Sequence, residues 1–158
     1  MIKALIKQDL LPQGEQMLIP AMFSATLEAP EPGGIPTKQH LLLVDDEPAI
    51  RALATLELRG AGYRVTTASD ADQALRLAEE LTLSLVILDI MMPKTDGLSL
   101  LETLKQRHPT LPVVILTGIG VTDEVMKVAM RMGADAYVSK GMTISYLVME
   151  IRRVLRKK

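Results

Sequence analysis

Three runs of four apolar residues constrain this 158-residue chain more than any other feature. They are Leu41-Leu42-Leu43-Val44, Leu85-Val86-Ile87-Leu88 and Val113-Val114-Ile115-Leu116. None alternates with polar residues, so a strand made from any of them needs cover on both faces, as in a parallel sheet. The β-rich stretch Tyr63 to Thr67 and the brief Ala136-Tyr137-Val138 add two more strands. Segments with helical spacing lie between. Pro48 to Gly60 carries Ile50, Leu53, Leu56 and Leu58. Pro48 sits where a first turn tolerates proline, and Gly60 and Gly62 mark the other end. Ser69 or Asp70 can cap a helix running to about Leu81. Gly97 to Arg107 is helical in spacing, Thr122 or Asp123 opens a helix through Met132 closed by Gly133, and Thr143 to about Lys157 forms the last. Asp96-Gly97 is a hairpin dipeptide, but the spacing after it favours a loop-to-helix junction. Five strands alternating with five helices predict a doubly wound α/β domain with helices on both faces.

Residues 1–39 read differently. Ile2, Leu5, Ile6 and Leu10 could line a short amphipathic helix, and Ala29 to Pro36 (A-P-E-P-G-G-I-P) has linker composition. The division is thus an extension over 1–39 and a domain over 40–158. Cysteine is absent, which excludes disulfides, thiolate chemistry and cysteine zinc sites. His40 and His108 are too far apart for a metal-ligand pair of usual spacing. With 3% aromatics and no Trp, base-stacking platforms for nucleic acid are not expected. From His40 to Glu150 there are 15 acids and 10 Lys or Arg, a local net of −5. The five bases after Glu150 suit the negative end of a terminal helix. No run approaches the roughly 18 apolar residues of a membrane span, and the start is a poor signal peptide, so a cytoplasmic location is expected.

In such sheets, ligands bind at the carboxyl ends of the strands. Asp45, Asp46 and Glu47 follow the first run, Asp89 the second, Thr117 the third, and Ser139 and Lys140 the last strand. Crowded carboxylates raise one another's pKa, and a hard divalent cation such as Mg²⁺ relieves that. One carboxylate can act as nucleophile toward a phosphoryl group. Lys140 and Thr117 can then hold its oxygens. Alone, each acid would be read as a cap or turn former, and Lys140 as a solvated side chain. Together they fit phosphoryl transfer to a side chain.

The motifs L-L-L-V-D-D-E-P, L-V-I-L-D-I-M-M-P-K-T-D-G, V-V-I-L-T-G and G-A-D-A-Y-V-S-K, in this order, resemble the receiver domain of two-component response regulators. The resemblance covers residues 40 to about 156. It implies a five-stranded, flavodoxin-like parallel sheet of order 2-1-3-4-5, with strands 1 and 3 adjacent. It implies that Asp89 is the phosphoacceptor, with Mg²⁺ as cofactor. Asp46 would be a direct ligand, Asp45 a ligand mainly through water, and the backbone carbonyl of Met91 a further one. Lys140 and Thr117 would contact the phosphoryl oxygens, and Tyr137 would be the aromatic that swings inward when Thr117 moves. A histidine kinase would be the donor. Output would go to an effector protein or, alternatively, to a histidine phosphotransfer partner. The face of helix 4, strand 5 and helix 5 (Lys127, Arg131, Asp135, Glu150, Arg152) carries both charge signs and could self-pair as a homodimer.

Two departures stand out. Gly141 follows Lys140 where the family usually has a proline after a cis bond, so Lys140 is expected to reach the site but to be held less rigidly. Met91 and Ile119 are apolar where the family's hydrolytic water passes, which predicts a long-lived phosphoryl group. Gly118 leaves access to the site open. A phosphorylation-independent interaction module is the competing non-catalytic reading, to which Gly141 gives weight. A phosphatase is disfavoured because Met91 stands where such enzymes carry a second Asp. The chain is thus expected to be a phosphoacceptor rather than an enzyme in the ordinary sense.

Overall fold

The computed structural model describes residues 38–93, 95–118 and 121–157. The expectations for residues 1–37 and Ile119 lie outside the described residues. The sheet strands are β1 (His40–Val44), β2 (Arg64–Ala68), β3 (Leu85–Asp89), β4 (Val113–Thr117) and β5 (Ala136–Ser139). They pair in parallel in the order β2-β1-β3-β4-β5, as expected. The helices are α1 (Pro48–Gly60), α2 (Ala71–Glu80), α3 (Gly97–Arg107), α4 (Asp123–Arg131) and α5 (Ile144–Leu155).

Local chemistry sets the helix ends. The Asp70 side chain accepts from Gln73 N, the Thr122 side chain from Val125 N and the Asp96 side chain from Leu98 N, so each start has a capped donor. Gly133 ends α4 at φ +101°, a left-handed turn that glycine tolerates without a Cβ clash. Pro48 opens α1 without a side-chain cap.

Strand alternation divides the core. Leu42, Val44, Val86, Leu88, Val113 and Ile115 pack toward α2, α3 and α4. Leu41, Leu43, Leu85, Ile87, Val114 and Leu116 pack toward α1 and α5, against Ala54, Leu58, Leu147 and Ile151. Both sets are buried, which is why β1, β3 and β4 read as continuous apolar runs. Edge strand β5 instead buries Ala136 and Val138 and exposes Tyr137 and Ser139.

The structure adds one element to the expected set. Met91–Met92 pairs antiparallel with Thr95–Asp96 in a two-residue ribbon directly before α3. The ribbon turns between Met92 and Thr95, so Asp96-Gly97 is not a hairpin turn; it is the junction into α3, as the helical spacing after it favoured. Strands β3 and β4 also run one residue longer than their apolar runs, so that Asp89 and Thr117 are themselves strand residues.

Candidate functional site

Asp45 and Asp89 follow the same local rule. The Oδ1 of Asp45 accepts from Glu47 N at 2.8 Å, and the Oδ1 of Asp89 accepts from Met91 N at 2.8 Å. Each is an Asx turn, in which an aspartate caps the backbone two residues on. The turn fixes the carboxylate and leaves Oδ2 facing away from it. Because β1 and β3 are neighbours, both Oδ2 atoms meet Lys140, whose Nζ lies 2.9 Å from Asp45 Oδ2 and 2.8 Å from Asp89 Oδ2. Glu47 Oε1 completes the set at 3.0 Å. Asp45 and Asp89 are 0% and 1% exposed, so the ammonium is their main counter-charge.

Parity explains who joins. Leu43, Ile87 and Val138 face the α1/α5 side, and Asp45, Asp89 and Lys140 are two residues beyond them. Glu47 continues the same parity. Asp46 and Thr117 follow Val44 and Ile115, which face the other side. Among the described residues, the carboxylates within 4.8 Å of one another are Asp45, Glu47 and Asp89. Asp46, expected as a direct ligand, is half-buried and outside that group, which includes Glu47. Glu47 was visible beside the two aspartates, and counting in twos from Leu43 would have singled it out.

One ammonium cannot fully neutralise three carboxylates. Burial pushes the Asp45 carboxyl above its usual range, and the opposing pull of Lys140 and of the Glu47 N–H does not cancel it. Burial alone would lower Lys140, but the Asp89, Asp45 and Glu47 carboxylates around its ammonium win and hold it above the usual lysine value. Lys140 donates directed hydrogen bonds to Glu47 and Asp89. Asp45 Oδ2, although close, has no directed hydrogen bond and is buried. A buried carboxylate oxygen without a donor, in an all-oxygen acidic set, fits a hard dication such as Mg²⁺.

The other expected residues fall around this centre. Thr117 is buried at the end of β4, in register with Ser139, and its carbonyl accepts from Lys140 N at 2.7 Å. Tyr137 is 55% exposed and in register with Ile115, on the same side of the sheet as Thr117. Met91 has its N–H committed to Asp89, and its side chain is exposed. Lys140 reaches the carboxylates across a turn closed by Met142 N to Ser139 O at 2.9 Å. The Gly141 N–H donates to Ser139 Oγ at 3.2 Å, a bond that proline at this position could not make. Beside Gly118 an added Cβ would meet nothing within 4 Å, so that side is open.

Gly97 is the first residue of α3, as the spacing predicted, and a Cβ on it would lie 2.3 Å from Ile90 Cα, a close approach that the sequence did not signal. Its lack of a side chain lets α3 pack on the backbone that follows Asp89. The charged patch expected on α4, β5 and α5 is also reduced. Asp135 pairs with Lys105 at 2.8 Å, Glu150 is held by Arg153, and Arg152 lines a groove with α1. Lys127 and Arg131 are left as like charges.

Residues 41–152 match the family profile of the response regulator receiver domain. A probable transcriptional regulator, ycf27, of Guillardia theta is 40% identical over 77% of this chain and 47% of its own length. The probable transcriptional regulatory protein TcrX of Mycobacterium tuberculosis is 34% identical over 74% of this chain and 50% of its own length. The chain thus spans about half the length of the curated relatives it matches. Among solved structures, the receiver domain of NtrX from Brucella abortus superposes with TM-score 0.71 at 38% identity, covering 75% of this chain and 99% of that one. A CheY-like receiver domain protein from Methanospirillum hungatei gives TM-score 0.73 at 29% identity, covering 77% of this chain and 96% of that one. With a five-stranded sheet in this order and the acidic edge it presents, the chain belongs to the response regulator receiver family.

Proposed function

We propose that this chain is a phosphorylation-dependent signalling switch in which Asp89 accepts a phosphoryl group from a histidine kinase. The observation that carries this reading is the buried pair Asp45 and Asp89, each fixed through Oδ1, with both Oδ2 atoms on Lys140 within 3 Å. Asp89 Oδ2 is the nucleophile. It forms the new O–P bond as the N–P bond of a phosphohistidine breaks, and the bonding pair returns to the imidazole nitrogen. Lys140 then pairs with a phosphoryl oxygen and Thr117 donates to another, which offsets the charge that builds on them. Asp45 and Asp89 would hold Mg²⁺, with a further carboxylate from the Asp46–Glu47 turn and the Met91 carbonyl. The ion would neutralise the incoming phosphoryl group.

Movement of Thr117 toward the phosphoryl group opens space on its side of the sheet, where exposed Tyr137 can turn inward. That changes the face of α4, β5 and α5 and so the affinity for an effector protein. With Asp135 and Glu150 engaged within the chain, Lys127 and Arg131 suit an acidic partner better than self-pairing through this face. Relay of the phosphoryl group to a histidine phosphotransfer protein is the alternative output, and reversible transfer kinetics would reveal it. No helix among the described residues is long and apolar enough to cross a membrane, which accords with a cytoplasmic site of action.

The test is to incubate the chain with Mg²⁺ and a small phosphodonor and to locate the modified residue by mass spectrometry. The expected result is one Mg²⁺-dependent phosphoryl group on Asp89, absent from Asp89→Asn. Failure to label in the presence of Mg²⁺, or labelling elsewhere, refutes the reading in favour of a phosphorylation-independent interaction module.

A further inference from the structure

Strand β2 lies at the edge of the sheet, beside β1. Arg64 N donates to Gln39 O and Ala68 O accepts from Asp45 N, so the alternate residues Arg64, Thr66 and Ala68 turn toward β1. Val65 and Thr67 therefore turn their N–H and C=O groups outward, and an open edge of this kind is a template for a further strand. A groove of about 400 Å³ separates that edge from α1. Arg51, Ala52, Thr55 and Arg59 line it from the helix, and Val65 and Thr67 from the strand.

The charge of the groove is one-sided. No acidic residue lines it, and no ion pair among the described residues includes Arg51 or Arg59. Each guanidinium is pinned to a backbone carbonyl instead, Arg51 Nη1 to Asp45 O at 2.6 Å and Arg59 Nη2 to Val65 O at 3.2 Å. One bond apiece leaves each fork with donors free for a carboxylate. The spacing of the two cations matches a strand. Arg51 and Arg59 are eight residues apart on α1, about 12 Å along its axis. Their carbonyl anchors give a similar span, because Val65 is in register with Leu41 and Asp45 is four residues further on, about 13 Å of strand. In an added strand, side chains four residues apart share one face and span the same distance. Two acids so placed would each meet one arginine. A second copy of this chain fits badly, because pairing two β2 edges would bring the arginines of both copies to one seam.

We propose that the outer edge of β2, beneath α1, binds an extended acidic segment of a partner protein as a sixth strand, with acids four residues apart held by Arg51 and Arg59. Val65 and Thr67 supply the backbone hydrogen bonds that give affinity, and the two arginines set the register. Arg59 exchanges its bond to Val65 O for the carboxylate. The proposal does not depend on the phosphoacceptor reading.

The probe is the peptide acetyl-TEVTVET-amide, whose glutamates are four residues apart. It is titrated to about millimolar concentration into the isotope-labelled full chain, without Mg²⁺, and followed by NMR. The expected result is saturable shifts centred on the Val65 and Thr67 amides, with slowed hydrogen exchange at both. Ala52→Glu places an acid in the groove and leaves both arginine–carbonyl bonds in place, and Arg59→Gln removes one fork; each weakens binding at least about tenfold. Ala52 is exposed, so the thermal melt of Ala52→Glu should match the parent's. The neutral peptide acetyl-TQVTVQT-amide also binds at least about tenfold more weakly. Absence of saturable shifts, shifts centred elsewhere, or equal binding of the neutral peptide overturns the proposal. Val65 and Thr67 shifts that grow with chain concentration alone would assign the edge to a second copy, and equal shifts from inorganic phosphate would assign the groove to a small anion. Either result overturns it as well.

Discussion

Replacing Gly97 by Ala sets two known effects against each other. A Cβ at this position would lie 2.3 Å from Ile90 Cα, 2.8 Å from Ile90 O and 2.9 Å from Ile90 C. Carbon atoms pack best at roughly 3.5–4.0 Å, so the two backbones would have to part by roughly 1 Å. Neither is free to do so. Ile90 is 7% exposed in the core, and α3 is anchored on this same face by the buried Leu100, Leu101 and Leu104. Overpacking of this kind costs about 1–3 kcal/mol, and clashes with backbone belong at the upper end. Against it, alanine is a better helix former than glycine by about 1 kcal/mol. The balance is a net loss of about 2 kcal/mol, or roughly 8 °C in Tm for a domain of this size. Urea unfolding of parent and variant measures it directly. Gly118→Ala is the control, since an added Cβ there meets nothing within 4 Å and stability should move by less than about 0.5 kcal/mol. A Gly97→Ala chain as stable as the parent, or more so, would show that α3 does not rest on the Ile90 backbone. The reasoning about how the segment after Asp89 is positioned would then fail. The stability readout stands whatever chemistry Asp89 performs.

Two further outcomes follow from the site and from the far edge of the sheet. Asp45→Asn should lower Mg²⁺ affinity by more than about tenfold and Glu47→Gln by much less, because Asp45 is fully buried whereas the Glu47 side chain is 58% exposed and hydrated; tryptophan is absent, so calorimetric titration is the suitable measurement. His40 is buried with Nε2 2.8 Å from Thr66 Oγ1, and burial, helped by Arg64, lowers its pKa from 6.5. The folded chain therefore favours neutral imidazole. Its contribution is present above the unfolded value and lost as pH falls through the lower folded one, at up to about 1.4 kcal/mol per pH unit. Unfolding midpoints of His40→Gln should be flatter than the parent's as pH falls below about 6.5, and parallel curves would contradict this.

Period, turn chemistry and strand-end position are local properties, and they were legible in the residues. The unbroken runs at Leu41, Leu85 and Val113 specified strands covered on both faces. Asp70, Thr122 and Gly133 marked helix ends that hydrogen bonds and a left-handed turn confirm. Asp45, Asp89, Thr117 and Lys140 lay at strand ends, and in a parallel sheet those ends share one edge. Distances between segments far apart in the chain are not local. Lys140 meets Asp89 across 51 residues, and only the paired strands decide that Glu47, not Asp46, joins them. The close approach of Gly97 to Ile90 exists only once α3 docks. The same holds for the engagement of Asp135 and Glu150, which strips the acids from the α4–β5–α5 patch. Sequence by itself determined which residues could carry charge to the sheet edge, because alternation and capping act over a few residues. Tertiary structure decided which of them meet and which are buried, because packing, not propensity, sets the distances over which charge and steric repulsion act.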